Sequence, residues 1–264
     1  MSIASVPRRI YRILKVVFVF AYSILEVGIQ RPKTRAARAE WLSRIGKRLM
    51  RAGNITAETH GPIPMSGAVI SNHLTYADIV VHGSLRPGVF VSKIELRSTP
   101  VLGWVSFMAG TIYVARGAGG SAAKAAEGMA KGFRDGLPVT FFPEGTTGVG
   151  DVPVLPLRSG LLAQAIAADV PVHYCFIRYQ LSDRDLARGK TVRNDVDWGP
   201  QTLWQHIWNF LDLDGVHASI TFAPEPIAFS PSAVANRKVA ALEAKAALES
   251  LAHATDPTLV TASS

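Results

Sequence analysis

From residue 60 onward, short runs rich in β-branched and aromatic residues alternate with stretches whose apolar residues recur at helical spacing. The runs are Ala68–Ser71, Val89–Ser92, Thr111–Ala115, Val139–Phe142, Val172–Tyr179 and Ala218–Ala223. Helical patterns fall near 75–85, 99–109, 121–135, 157–168 and 201–212, with a last one at 232–253. This alternation predicts an α/β domain with a mixed central sheet flanked by helices. Two connections read as loops, the Gly/Pro-rich 144–156 and the charged 182–200. No internal repeat is visible.

The first 55 residues follow another pattern. Arg8, Arg9, Arg12 and Lys15 precede the uncharged run Val16–Leu25, and on a helix Ile10, Ile13, Leu14, Val17, Ala21 and Ile24 share one stripe while Arg8, Arg12 and Lys15 lie to another side. The uncharged run covers about 15 Å as a helix, half of a bilayer core, and a spanning length requires Arg12, Lys15 and Glu26 to snorkel. Arg31-Pro32 breaks the pattern. A second helix follows, with Trp41, Leu42, Ile45 and Leu49 on one face and Arg44, Lys47, Arg48 and Arg51 around it. The expected organisation is therefore a basic amphipathic helical pair at 1–55, an α/β domain at 56–254 and a polar tail at 255–264. The pair reads as an interfacial anchor on an anionic membrane, its basic residues drawn to the lipid. The plainer alternative is that both helices cap the core, and a cleaved signal segment is a third.

Charge sharpens this division. The 264 residues carry 28 Lys/Arg and 20 Asp/Glu, a net charge of +8. Residues 1–51 alone hold 12 Lys/Arg against Glu26 and Glu40, so the remainder is slightly acidic. A nucleic-acid surface spread over the fold is thus not expected. The single cysteine, Cys175, excludes an internal disulfide and a Cys-based metal site.

Candidate chemistry collects where predicted strands end. His73 follows the Ala68–Ser71 run in Ser71-Asn72-His73-Leu74-Thr75-Tyr76-Ala77-Asp78. Asp78 could take one ring N–H of His73 and leave the other nitrogen as a base. Thr75-x-x-Asp78 is also a helix-capping pattern, which leaves Asp78 a purely structural alternative. A second element, Phe142-Pro143-Glu144-Gly145-Thr146-Thr147, joins a strand to a sharp turn where Gly145 admits a close backbone approach and Glu144 and Thr146 offer hydrogen bonds. Lys93 and Arg116 also follow strand ends, and two cations converging on one rim suit a phosphate. Gly117–Gly120 matches neither nucleotide-binding spacing and reads as a turn into a helix. No Gly-x-Ser-x-Gly occurs.

These elements, in this order, resemble the lysophosphatidic-acid acyltransferase family of glycerolipid acyltransferases. Asn72-His73-x4-Asp78 is similar to the family's first motif. Lys93-x-Glu95-Leu96, Pro100, Gly103 and Thr111-x-Tyr113-Val114-x-Arg116 resemble the second. Phe142–Thr146 resembles the third, and Val170-Pro171-Val172 the fourth. The resemblance covers about residues 35–230. It departs at Thr147, where the family commonly has Arg, and at His173-Tyr174, where a second proline is usual. Thr-Thr after Glu-Gly is similar to members acting on lyso-ornithine lipids.

The resemblance implies transfer of a fatty acyl group from acyl-CoA or acyl-ACP to a lysolipid hydroxyl. The first acceptor is 1-acyl-sn-glycerol-3-phosphate and lyso-ornithine lipid is the alternative. No cofactor is implied beyond the acyl donor. It makes His73 the general base and Asp78 its orienter. Asn72, Lys93, Arg116, Glu144, Gly145, Thr146 and Thr147 become substrate-binding residues, and the expected location is the cytoplasmic face of the inner or plasma membrane. A hydrolase using the same pair with water, and a non-catalytic lipid-binding protein, are the rivals.

Overall fold

The computed structural model describes residues 5–115, 121–148, 150 and 152–256. Two helices lead, α1 (Ser5–Gln30) and α2 (Arg35–Gly53), followed by β1 (Ile55–His60), β2 (Ala68–Ser71), α3 (Ala77–Leu85) and β3 (Val89–Lys93). After a 3-10 turn come α4 (Leu102–Met108), β4 (Ile112–Val114), α5 (Ser121–Arg134), β5 (Val139–Phe141) and α6 (Ser159–Ala167). The remainder is β6 (Val172–Leu181), α7 (Asp183–Ala187), α8 (Val192–Asp195), α9 (Leu203–Phe210), β7 (Val216–Phe222), α10 (Pro231–Ala235) and α11 (Arg237–Thr255).

The seven strands form one mixed sheet in the order β1-β7-β6-β2-β5-β3-β4. From β6 to β4 every pairing is parallel, whereas β7 runs antiparallel to β6 and parallel to β1. The C-terminal ends of β2, β5, β3 and β4 therefore emerge along one edge, the place where ligands gather in α/β sheets.

Period-two alternation explains why the short central strands are apolar throughout. In β2, Ala68 and Ile70 pack with residues of α5, α6 and α11, while Val69 packs on the other face with Ala77 and Val81 of α3. All four residues of β2 are buried.

Three features differ from the sequence expectation. β1 reads Ile-Thr-Ala-Glu-Thr-His, with only Ile55 buried; it is a polar edge strand fixed by pairing with β7, a tertiary contact that local pattern does not encode. The 182–200 connection contains α7 and α8, capped by Ser182 and Thr191 accepting from the Asp185 and Asn194 N–H groups. The last helical stretch is split at Asn236, whose side chain caps α11 by accepting from the Lys238 N–H.

The helical pair forms, but some of its charges, Arg9, Arg12 and Glu26, turn toward the protein. Arg12 donates to the carbonyls of Leu211, Leu213 and Asp214, and Arg9 pairs with Asp212 at 3.3 Å. Near the other end of α1, Glu26 receives Arg44 at 2.8 Å and Arg48 at 2.5 Å from α2. These ions are thus held by the protein body, because a buried charge requires a partner. The predicted apolar stripe instead points outward, with Ile10, Leu14, Val17 and Ile24 exposed beside Phe18 and Leu25. Between α1 and α2, Val19, Val27, Trp41 and Ile45 make a small core of their own, joined by Val105 and Ala109 near α4. Trp41 is fully buried and donates its indole N–H to the Ser23 carbonyl at 3.0 Å.

Docking of α1 through Arg12 is testable. Arg12→Met keeps the aliphatic stem and leaves three buried carbonyls short of a donor, so it should cost about 1–3 kcal/mol. Thermal unfolding, with limited proteolysis at 31–34, reads the loss; an unchanged midpoint and cleavage rate would show that apolar contacts alone hold α1.

Candidate active site

The chain leaves β2 at Ser71 and turns through residues 72–76 before α3 begins. Asn72 fixes this exit. Its Nδ2 donates to the Ile177 carbonyl at 2.9 Å and its Oδ1 accepts from the Ile177 N–H at 2.8 Å, tying the end of β2 to β6. Asn72 was expected among the substrate-binding residues. It is only 1% exposed, with its amide bonded to the backbone of β6.

His73 and Asp78 come together as the spacing suggested. Nδ1 of His73 lies 2.8 Å from Oδ2 of Asp78. With a carboxylate as acceptor, Nδ1 carries the proton and Nε2 keeps its lone pair. The imidazole stacks on Phe142, ring centroids 4.1 Å apart and planes 14° from parallel, which fixes its second orientational freedom. Asp78 is completely buried. Oδ2 also accepts the N–H groups of Leu74 (2.8 Å) and Thr75 (3.0 Å), and Oδ1 accepts the Tyr179 hydroxyl at 2.7 Å. The capping alternative is therefore half realised: Asp78 reaches back to the Thr75 N–H, while the buried Thr75 hydroxyl has no hydrogen-bond partner. One carboxylate both starts α3 and orients His73.

The turn after β5 wraps the same corner. The Gly148 N–H donates to the His73 carbonyl at 2.8 Å. Glu144 is buried, with the backbone N–H groups of His73 and Leu155 opposite its carboxyl, and burial outweighs them, pushing its pKa up to about 8. Gly145 has φ +67°, and a Cβ there would meet the Arg158 Nε at 2.6 Å, so a side chain at that position would strain the backbone and displace Arg158. Thr146 is exposed on the rim. Thr147 donates its hydroxyl to the Trp198 carbonyl at 2.8 Å, and the Trp198 N–H in turn donates to the Leu74 carbonyl at 2.8 Å. These two bonds bring the loop after α8 onto the site.

Lys93 is exposed at the end of β3, in register with Val114 of β4, on the same sheet edge as His73. Arg116 and Gly117–Gly120 lie outside the described residues.

The sequence reading passed over Phe142 as a ring support, Tyr179, Trp198 and Arg158. Another is His82, fully enclosed on α3 beside Phe142, with burial lowering its pKa to about 4. Tyr179 sits in an apolar strand where the pattern marks only a core aromatic. Trp198 carries no local sign: it meets Tyr76 only in space, where Tyr76 also contacts His206 and Phe210.

A family model described as Acyltransferase matches residues 54–178. The lyso-ornithine lipid O-acyltransferase of Pseudomonas aeruginosa is 35% identical over 111 residues, 42% of this chain and 42% of that protein. The 1-acyl-sn-glycerol-3-phosphate acyltransferase of Neisseria gonorrhoeae is 29% identical over 186 residues, 69% of each chain. Among solved structures, the 1-acyl-sn-glycerophosphate (LPA) acyltransferase PlsC of Thermotoga maritima shares the fold, with a TM-score of 0.64 and 20% identity over 94% of this chain and 96% of that one. Residues 54–178 thus carry an acyltransferase-family domain.

The matched window begins at the end of α2 and closes within β6, so it holds His73, Asp78, Lys93, Glu144 and Thr147. Tyr179 stands one residue beyond it.

Two substitutions probe how this corner is held. Asn72→Leu leaves the Ile177 N–H and C=O buried without partners, at about 1–3 kcal/mol for each group; urea unfolding should show a lowered midpoint. Glu144 binds its proton more tightly folded than unfolded, so its contribution to stability is present at low pH and declines as pH rises from about 4.5 to about 8. Glu144→Gln removes that decline. The difference in melting temperature between variant and wild type should move in the variant's favour across this interval, and a pH-independent difference would contradict the buried neutral carboxyl.

Proposed function

We propose that the protein transfers a fatty acyl group from a thioester, acyl-CoA or acyl-ACP, to the hydroxyl of a lysolipid. The observation that carries this reading is the His73–Asp78 pair, 2.8 Å apart on the strand-end rim of an acyltransferase-family domain. An alcohol is a weak nucleophile at neutral pH, so its proton must leave as its oxygen attacks the thioester carbonyl carbon. Nε2 of His73 takes that proton, and Asp78 steadies the imidazolium through Nδ1. The tetrahedral intermediate then expels the thiolate, which receives the proton back, and the C–S bond is exchanged for a C–O bond. A thioester already has a good leaving group, so no acyl-enzyme is needed.

The first acceptor reading is 1-acyl-sn-glycerol-3-phosphate, the named substrate of the Neisseria relative, with Lys93 on the rim as a cation for its phosphate and Arg116 as a second. The second is a lyso-ornithine lipid, the substrate named for the Pseudomonas relative. The bond from Thr147 to Trp198 favours it, because the position after Glu-Gly-Thr closes a loop here and offers no cation. Glu144 and Gly145 shape the acceptor side of the site from beneath.

A lipid acceptor calls for a membrane-facing surface, and α1 supports one. Among the described helices, the 25-residue stretch Val6–Gln30 is long and apolar enough to cross a membrane by length and composition. It is docked at both ends through Arg9, Arg12 and Glu26, so the helix lies along the bilayer surface with its exposed stripe in the lipid, on the cytoplasmic face where acyl donors are found.

The test offers lysophosphatidic acid and lyso-ornithine lipid side by side with one acyl donor, wild type against His73→Ala, and identifies products by mass spectrometry. The expected outcome is diacyl product from lysophosphatidic acid, reduced about 10²–10⁴-fold in the variant. Preference for lyso-ornithine lipid would select the second acceptor. Undiminished turnover by His73→Ala would remove the proposed base, and free fatty acid alone would identify a hydrolase.

A further inference from the structure

The environment of Asp78 is lopsided. Three donors meet at Oδ2: the His73 ring N–H and the backbone N–H groups of Leu74 and Thr75. Oδ1 has the Tyr179 hydroxyl at 2.7 Å. Tyr179 is 5% exposed and lies on β6 two residues beyond Ile177, the residue that clamps Asn72. One strand therefore fixes both the exit of β2 and the outer oxygen of the carboxylate. Burial pushes the phenol pKa well above its ordinary value, and the neighbouring Asp78 charge adds to the effect, so the hydroxyl remains a donor throughout the working pH range.

We propose that Tyr179 is a positioning residue for acyl transfer: its hydroxyl locks the carboxylate plane of Asp78 and draws charge away from Oδ2, setting how strongly Asp78 holds the Nδ1 proton of His73. The inference rests on the reading of His73 as the base. A carboxylate pinned by both oxygens cannot rotate about its Cβ–Cγ bond, so the His73 ring keeps one orientation. Charge shared with the phenol is charge withheld from the imidazolium. Without the hydroxyl, Oδ2 becomes a stronger acceptor, the protonated ring persists to higher pH, and less of the enzyme holds a free base.

Other ionisable groups face this assembly from every side. His82 lies on α3, Tyr76 at its start, Glu144 in the turn after β5, Cys175 on β6 and Asp197 beyond α8, with Arg86 acting on His82 and Cys175 from the end of α3. A change confined to the phenol leaves all of them in place, so its effect on pH dependence is attributable to the hydroxyl.

The test uses the full chain with the acyl donor and the acceptor it turns over. Tyr179→Phe should lower kcat on the order of tenfold at neutral pH. It should leave both KM values within about twofold and move the acid limb of kcat/KM upward by roughly half a pH unit. Incorporating 3-fluorotyrosine at 179 keeps the shape but strengthens the donor, and should move the limb downward. The ¹⁵N shifts of His73 in the substrate-free protein should follow the same two directions; should Tyr179→Phe fail to fold, the fluorotyrosine protein carries the comparison. An acid limb and ¹⁵N titration indifferent to both changes would overturn the proposal, as would a raised KM with an unmoved limb, which marks a mere pocket wall. Turnover retained by His73→Ala would instead overturn the base itself, whereas an inactive His73→Ala with an indifferent limb sinks only the role of Tyr179.

Discussion

A carboxylate placed in a protein interior must have all its charge answered by donors, or the fold loses several kcal/mol. Asp78 meets this constraint by recruiting four groups from two parts of the chain: the loop after β2, which supplies the His73 ring and the Leu74 and Thr75 N–H groups, and β6, which supplies the Tyr179 hydroxyl. Because these bonds are directional, they dictate more than the carboxylate's own position. They set the first turn of α3, bring β6 alongside the β2 exit and turn the imidazole toward the sheet rim. The turn after β5 then closes over His73 through Gly148, and the loop carrying Trp198 closes over Leu74. The corner is assembled around one desolvated charge.

Much of this was readable from residue order, and the limits of that reading have physical causes. The strands of the parallel half were legible because they are buried on both faces and stand as short apolar runs between helical patterns. β1 was not, since a mostly exposed edge strand carries no such signature and is defined by its partner, β7. His73 and Asp78 were legible because both lie on one continuous segment, five residues apart. Tyr179 comes from a strand more than a hundred residues away, and an aromatic in an apolar strand gives no local sign that its hydroxyl reaches a carboxylate. The burial of Asn72 was not legible either: a polar residue beside a candidate base gives no local sign that the pairing of β2 with β6 encloses it.

The charge pattern of the N-terminal helices shows the same limit at larger scale. Counting cations identified a basic, amphipathic helix, and the helix is there. The count could not say which face looks inward. Asp212, Asp214 and the carbonyls at the end of α9 draw Arg8, Arg9 and Arg12 toward the protein, and the hydrocarbon stripe is left outermost.

The distance in sequence between Arg12 and its carbonyl partners has a consequence for biogenesis. The two ends of that contact lie about 200 residues apart. At roughly 5–20 residues per second, α1 leaves the ribosome some 10–40 s before the segment that docks it exists. Throughout that interval the helix has only α2 to pack on, through Trp41 and Ile45, and its outward stripe is exposed from the start. The α1–α2 pair can therefore form early as a local unit, while its docking to the domain through Arg12 waits for the last fifth of the chain.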